Sequence, residues 1–273
     1  MHREDERRRT TAVAVGGVLL TAIALAITVR TGLSRQAAIA RRRIGKPLGE
    51  DAPGADRVWR RRLDGEPLEL LLLGDSLAAG LGAERRKDTL GGRLAKGLAR
   101  SVRRPVRLRT AAVVGSESPD LDAQLDALPE DYAPQVAVIV VGGNDVTHRL
   151  PTAVSIGHLS AAIARLRQRG ACVVVGTCPD LGALRPVPQP LRTLASGLSR
   201  RLAEAQAAAA RDAGAAAIDL RRAVGPMFLD EPEEMFSLDR FHPSALGYRR
   251  TADALLPAVT EAAEGALRGS ALR

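Results

Sequence analysis

From residue 68 onward, five short apolar runs recur at 68–73, 106–114, 135–141, 171–177 and 215–220, each rich in Val, Ile, Leu or Ala. Their length and composition read as buried strands. Between them lie stretches with helical spacing: Leu90, Leu94 and Leu98, then Leu121, Leu125 and Leu128, then Leu159, Ile163 and Leu166, then Leu191, Leu194, Leu198 and Leu202. A last helix over about 244–266 closes the series. Strand, helix, strand repeated in this way requires parallel strands joined by right-handed crossovers. The expected fold is therefore a three-layer α/β/α sandwich around a five-stranded parallel sheet. Such sheets bind ligands at the C-terminal ends of their strands, so functional residues should stand immediately after the runs.

The residues found there are reactive ones. The first run breaks from Leu71-Leu72-Leu73 into Gly74-Asp75-Ser76-Leu77, with Ala78, Ala79 and Gly80 to follow. This is a strand that ends by presenting a hydroxyl, and the small residues after it suit a tight turn into a helix whose first N–H groups face whatever Ser76 attacks. After the third run come Gly142-Gly143-Asn144-Asp145, where two glycines turn the backbone and Asn144 offers an amide N–H₂ at the same sheet edge. Near the end stands Asp239-Arg240-Phe241-His242-Pro243. A spacing of three lets the Asp239 carboxylate curl back to the His242 ring. Asp75 and Asp145 adjoin these positions and read as caps of turns or helices.

Together these segments resemble the SGNH, or GDSL, hydrolase family, whose sequence blocks contribute Ser, Gly, Asn and His in that order. Gly74-Asp75-Ser76-Leu77 matches the first block, Gly142-Gly143-Asn144-Asp145 the third, and Asp239 through Pro243 the last, over a stretch of roughly 67–265. The second block departs from the pattern. Of Thr110-Ala111-Ala112-Val113-Val114-Gly115 only Gly115 matches, while Thr110 and Ala112 stand where the family more often has Asn and Gly. The resemblance implies a flavodoxin-like sheet and a serine hydrolase acting on ester bonds without a cofactor or metal. Ser76 would be the nucleophile, His242 the general base and Asp239 the residue that orients the ring. The N–H groups of Ser76 and Gly115 and the side chain of Asn144 would form the oxyanion hole. The expected substrate is a short- to medium-chain acyl ester or a lipid, since the family also includes thioesterases and lysophospholipases. Acyl transfer to another alcohol, or a tethered binding module that has lost turnover, are the competing readings. Keeping Ser76, Asn144, Asp239 and His242 together argues against the latter.

Composition excludes other classes. A net charge of +9 would suggest nucleic acid, but the basic residues are scattered, only Lys46, Lys87 and Lys96 among 40 are lysines, and an aromatic fraction of 2% offers few platforms for stacking bases. No nucleic-acid partner is expected. The turn after the first run lacks both the Lys-Ser/Thr ending of a phosphate loop and the spacing of a dinucleotide fingerprint. Cys172 and Cys178 lie in one extended stretch, which would put their Cα atoms about 20 Å apart, beyond disulfide reach. No metal-ligating spacing occurs either.

Before the domain, residues 10–29 are uncharged for 20 positions, about 30 Å as a helix, and follow Arg7-Arg8-Arg9. They read as a retained membrane anchor or a signal peptide, with the catalytic domain extracytoplasmic. The resulting organisation is a basic region at 1–9, an anchor or signal at 10–29, a juxtamembrane segment and linker at 30–66, the catalytic domain at 67–266 and a tail at 267–273. Trp59 is expected to pin the linker onto the domain.

Overall fold

The structure is a computed structural model that describes the backbone of residues 2–271 and the side chains of residues 22–269. A long helix, α1 (His2–Ile44), leads into strand β1 (Arg57–Trp59) and then β2 (Leu68–Gly74). After β2 come α2 (Ser76–Ala79), α3 (Leu90–Ser101), β3 (Val106–Thr110), α4 (Asp120–Asp126) and β4 (Val136–Val140). The second half runs through α5 (Gly143–His148), α6 (Thr152–Gln168), β5 (Cys172–Gly176), α7 (Leu191–Asp212) and β6 (Ala216–Ile218). Three short helices, α8 (Leu220–Ala223), α9 (Gly225–Asp230) and α10 (Pro232–Met235), precede the closing α11 (Ala245–Ala271).

The sheet order is β1-β3-β2-β4-β5-β6, with every neighbouring pair parallel except β1 and β3. Without β1 this is the flavodoxin-like order, whose strand direction of travel reverses at β2, so the crevice lies between the ends of β2 and β4. Alternation along β2 divides the core. Leu68, Leu70 and Leu72 face α3 and α11, where Leu94, Leu98, Leu255 and Val259 are buried. Leu71 and Leu73 face the other way, onto Leu121, Leu125, Leu159, Ile163 and Leu166 of α4 and α6. The central strands β2, β4 and β5 thus bury both faces, which is why their runs are apolar almost throughout.

The sheet has one strand more than the five expected. β1 lies in the expected linker and pairs antiparallel with β3, Val58 opposite Arg107. Its three residues carry no apolar periodicity, and pairing with an existing edge is what makes them a strand. Trp59 packs against the core, its Nε1 donating to Ala55 O at 3.1 Å. β6 is a partly exposed edge rather than a buried strand. The Leu spacing of α7 is also not its buried stripe. Leu194 and Leu198 are exposed, and the helix buries Ser199, Leu202, Ala203, Gln206 and Ala210 instead.

α1 is continuous through the segment expected to enter a membrane, and the side chains of residues 10–21, like those of the basic region 1–9, lie outside the described residues. Among the described residues no helix is long and apolar enough to cross a membrane. At the other end α11 continues the helix through Ala271, into the expected tail.

Candidate active site

The turn after β2 is built so that little can move in it. Gly74 has φ +130°, and a Cβ there would meet Val140 O at 1.8 Å, so only glycine lets β2 and β4 approach this closely. Its backbone is held from the side by Gln124, whose Oε1 accepts from Gly74 N at 2.9 Å and whose Nε2 donates to Gly74 O at 2.8 Å. Asp75 then caps α2, accepting from Leu77 N at 2.9 Å. Ser76 follows at the first helical position, 8% exposed, where its N–H has no intrahelical acceptor.

The histidine arrives from the loop before α11. Phe236 and Pro243 form a β-bridge, and Ser237 N donates to His242 O at 2.8 Å, closing a tight loop around Arg240, which has φ +55°. Inside it, Asp239 Oδ1 accepts from Ser237 Oγ at 3.0 Å and from the N–H groups of Phe241 and His242 at 2.9 Å. Its other oxygen meets His242 Nδ1 at 2.5 Å, and His242 Nε2 lies 2.9 Å from Ser76 Oγ. Burial raises the Asp239 pKa, but the hydrogen bonds from the His242 ring and from the two backbone N–H groups outweigh it and hold the carboxyl below its ordinary value. An ionised carboxylate on one ring nitrogen leaves the other free to accept the serine proton.

Gly142-Gly143-Asn144 opens α5 at the end of β4. Asn144 Nδ2 donates to Ser116 O at 2.9 Å, which uses one of its two hydrogens and fixes the amide plane. Asp145, expected to cap, instead ties down the loop after β3, accepting from Ser118 N at 2.9 Å and Ser118 Oγ at 2.5 Å. The Gly143 N–H also lies close enough to the Asp75 carboxylate to lower its pKa, which sets the turns after β2 and β4 side by side. Gly115 belongs to that loop after β3. It has φ +89° and its N–H has no acceptor among the described residues.

Ser76, Asn144 and His242 line one cavity, with Asp239 behind the histidine. Gly115 does not line it. It borders an adjoining open depression with Thr110, Val113 and Ser116, one residue from the carbonyl that Asn144 holds. Beyond Ser76 the cavity wall is apolar, built from Leu77, Leu181, Leu184, Val224, Phe228 and Phe236. The proline-rich stretch after β5 supplies part of it through Pro179, Leu181 and Leu184. Among the described residues no group of side chains could hold a metal ion. His148 and His158 pair with Glu117 and Asp122, outside the cavity.

Nothing in the motif pattern points to Gln124, Gln206 or Tyr248. Gln206 clamps the ends of β4 and β5, accepting from Cys178 N at 2.7 Å and donating to Val141 O at 3.0 Å. Tyr248 is fully buried and donates to Leu81 O at 2.7 Å, tying α11 to the segment just after α2. The available signal was a polar residue inside an apolar helical stripe, as Gln124 lies between Leu121 and Leu125.

Residues 72–250 match the model of the GDSL-like lipase/acylhydrolase family. The chain is 40% identical over 267 residues to the GDSL-like esterase Rv1075c of Mycobacterium tuberculosis, covering 94% of this chain and 84% of that one. In fold it is similar to a catalytic mutant of an acetylxylan esterase from Geobacillus stearothermophilus, with a TM-score of 0.56 at 16% identity over 72% of this chain and 95% of that chain. It is likewise similar to TesA, with a TM-score of 0.55 at 23% identity over 71% and 99% of the two chains. Family match, relative and fold agree with a serine, an imidazole and a carboxylate gathered at the switch point of the sheet, and the chain belongs to the GDSL-like lipase/acylhydrolase family as an ester-hydrolysing enzyme.

Proposed function

We propose that this enzyme hydrolyses short- to medium-chain acyl esters through an acyl-enzyme on Ser76. The observation that carries the reading is the hydrogen-bonded line Asp239–His242–Ser76, ending at an apolar cavity. His242 Nε2 takes the Ser76 proton as Oγ attacks the ester carbonyl carbon, and then gives it to the departing alcohol oxygen. Water attacks the acyl-enzyme in the same way, its proton passing to His242 and on to Ser76, which releases the acid. Asp239 keeps Nδ1 protonated and stabilises the imidazolium. The oxyanion of each tetrahedral intermediate is received by Ser76 N–H, by the second hydrogen of Asn144 Nδ2 and by Gly115 N–H, the last of which must turn toward the cavity. The acyl chain lies along Leu181, Leu184 and Phe228, where burial of each methylene is worth about 0.8 kcal/mol. Residues 10–29 serve in this reading as an anchor or signal that places the domain outside the cytoplasm.

The test is labelling by a fluorophosphonate probe, wild type against Ser76→Ala, followed by rates on p-nitrophenyl esters of increasing acyl length. Labelling of the wild type alone, with rates that rise from acetate and then fall for long chains, is the expected result. Equal labelling of both proteins would remove Ser76 as the nucleophile.

A further inference from the structure

We propose that Gln36, Ala40 and Arg43 of α1 are a strut that fixes the outer wall of the acyl cavity, and so are positioning residues for acyl-length selectivity. The proposal rests on the ester-hydrolase reading for its substrate, though not for its mechanics. The three residues stand four and three apart and share one helical face. That face meets the proline-rich loop between β5 and α7 at three places. Gln36 uses both ends of its amide: Oε1 accepts from Leu191 N at 3.0 Å and Nε2 donates to Gln189 O at 2.7 Å. Ala40 is buried in a cluster with Leu181, Leu184 and Val187. Arg43 Nη1 donates to Pro186 O at 3.4 Å.

The loop needs such support from outside. Pro186, Pro188 and Pro190 have no N–H, and between Leu184 and Leu191 the only backbone donor bonded within the loop is Val187 N, to Leu184 O. α7 begins at Leu191 behind Pro190, which has no side-chain acceptor; Gln189 Oε1 takes the Thr193 N–H at 3.3 Å, and Gln36 takes the Leu191 N–H from 155 residues away. The inner end of the loop is held separately, by Asp180 against Ser196 Oγ at 2.7 Å and Arg221 Nε at 3.1 Å. Leu181 and Leu184, which line the cavity, therefore sit between an anchor on the domain and an anchor on α1. An acetyl group on Ser76, the shortest acyl chain, gains least from this wall. A longer chain has more surface to lay against Leu181 and Leu184, and it binds a wall that is already ordered more tightly than one it must order itself.

The test compares full-length wild type, Gln36→Ala and Gln36→Glu by kcat and KM on p-nitrophenyl acetate and hexanoate, and by amide hydrogen exchange. Gln36→Ala is expected to leave acetate turnover within twofold and to lower the hexanoate-to-acetate ratio of kcat/KM about fivefold, the change lying in KM. Gln36→Glu keeps the acceptor for Leu191 N and should recover part of the ratio. Exchange should accelerate at Leu191 and also at Val187 and Leu184. An unchanged ratio in Gln36→Ala, or faster exchange confined to Leu191, overturns the strut. If the wild type cleaves neither ester while exchange at Leu184 and Val187 still responds, the strut stands and the ester reading falls.

Discussion

Two carboxylates bear on His242 and titrate in opposite directions. Burial pushes Asp75 up to about 6, only partly offset by the hydrogen bond from Leu77 N–H and the nearby His242, while Asp239 is held below its ordinary value. For Asp75 the folded state binds the proton more tightly than the unfolded one, so its contribution favours folding most at low pH and is lost as pH rises from about 4 to about 6. Asp239 behaves in reverse: its contribution is present above the unfolded value and lost as pH falls through the folded one. Asp75→Asn removes the first dependence. Relative to wild type, the variant should gain stability between pH 4 and pH 6, with a ceiling on the order of 3 kcal/mol, seen as diverging urea midpoints. Parallel curves would mean that folding leaves the Asp75 pKa at its unfolded value. In the proposed mechanism Asn144 donates to the oxyanion of the transition state, beside its bond to Ser116 O. Asn144→Ala should lower kcat about a hundredfold or more with little change in KM, and Asp239→Asn by about ten thousandfold through the wrong tautomer, both read by steady-state kinetics on p-nitrophenyl esters.

Among the elements, those that bury both faces were readable and those defined by pairing were not. The run Leu68–Leu73 becomes β2 because nothing polar interrupts it, and Ser76 follows because the sheet delivers its strand ends to one edge. Asn144 was readable for the same reason. β1 was not, since three residues become a strand only through the edge of β3, and neither was the buried side of α7, where Ser199, Ala203 and Gln206 pack while Leu194 and Leu198 stay outside. Gly115 lies between these cases, matched by its block yet placed in a loop whose course depends on Asp145 and Asn144. The clamps belong to the illegible part, because a glutamine inside a helical stripe shows that it is buried but not what it binds. Gln124→Leu fills similar volume, leaves Gly74 N–H without a partner and leaves Gly74 C=O with the Val113 N–H alone. The expected cost is about 2 kcal/mol or more, measured by urea denaturation, together with slower ester turnover as the nucleophile turn loosens. A neutral effect on both would mean that the turn is held by Gly74 packing alone.

At the scale of the whole molecule, the proposed anchor and the proposed strut fall on the same helix, α1. Ile23, Leu25, Ile27 and Val29 are all exposed, and their spacing of two puts them on opposite sides of the helix. These residues give α1 no single face to dock on protein, and in the proposed anchor reading lipid would cover them. From Val29 to Gln36 is seven residues, about 10 Å of helix, so the strut would hold the cavity wall close to a membrane surface. Exposed Leu194 and Leu198 lie on α7 one turn apart, just beyond the residue that Gln36 caps. The two roles are separable by truncation. A chain beginning at residue 30 keeps Gln36, Ala40 and Arg43; it should leave phospholipid vesicles in a flotation assay at high salt, where the full chain remains bound, and should keep the full chain's hexanoate-to-acetate ratio. A chain beginning at residue 45 should lose both. If the full chain does not float with vesicles, the anchor is excluded and α1 serves the cavity only; if the chain beginning at residue 45 keeps the ratio, the coupling between helix and cavity is absent.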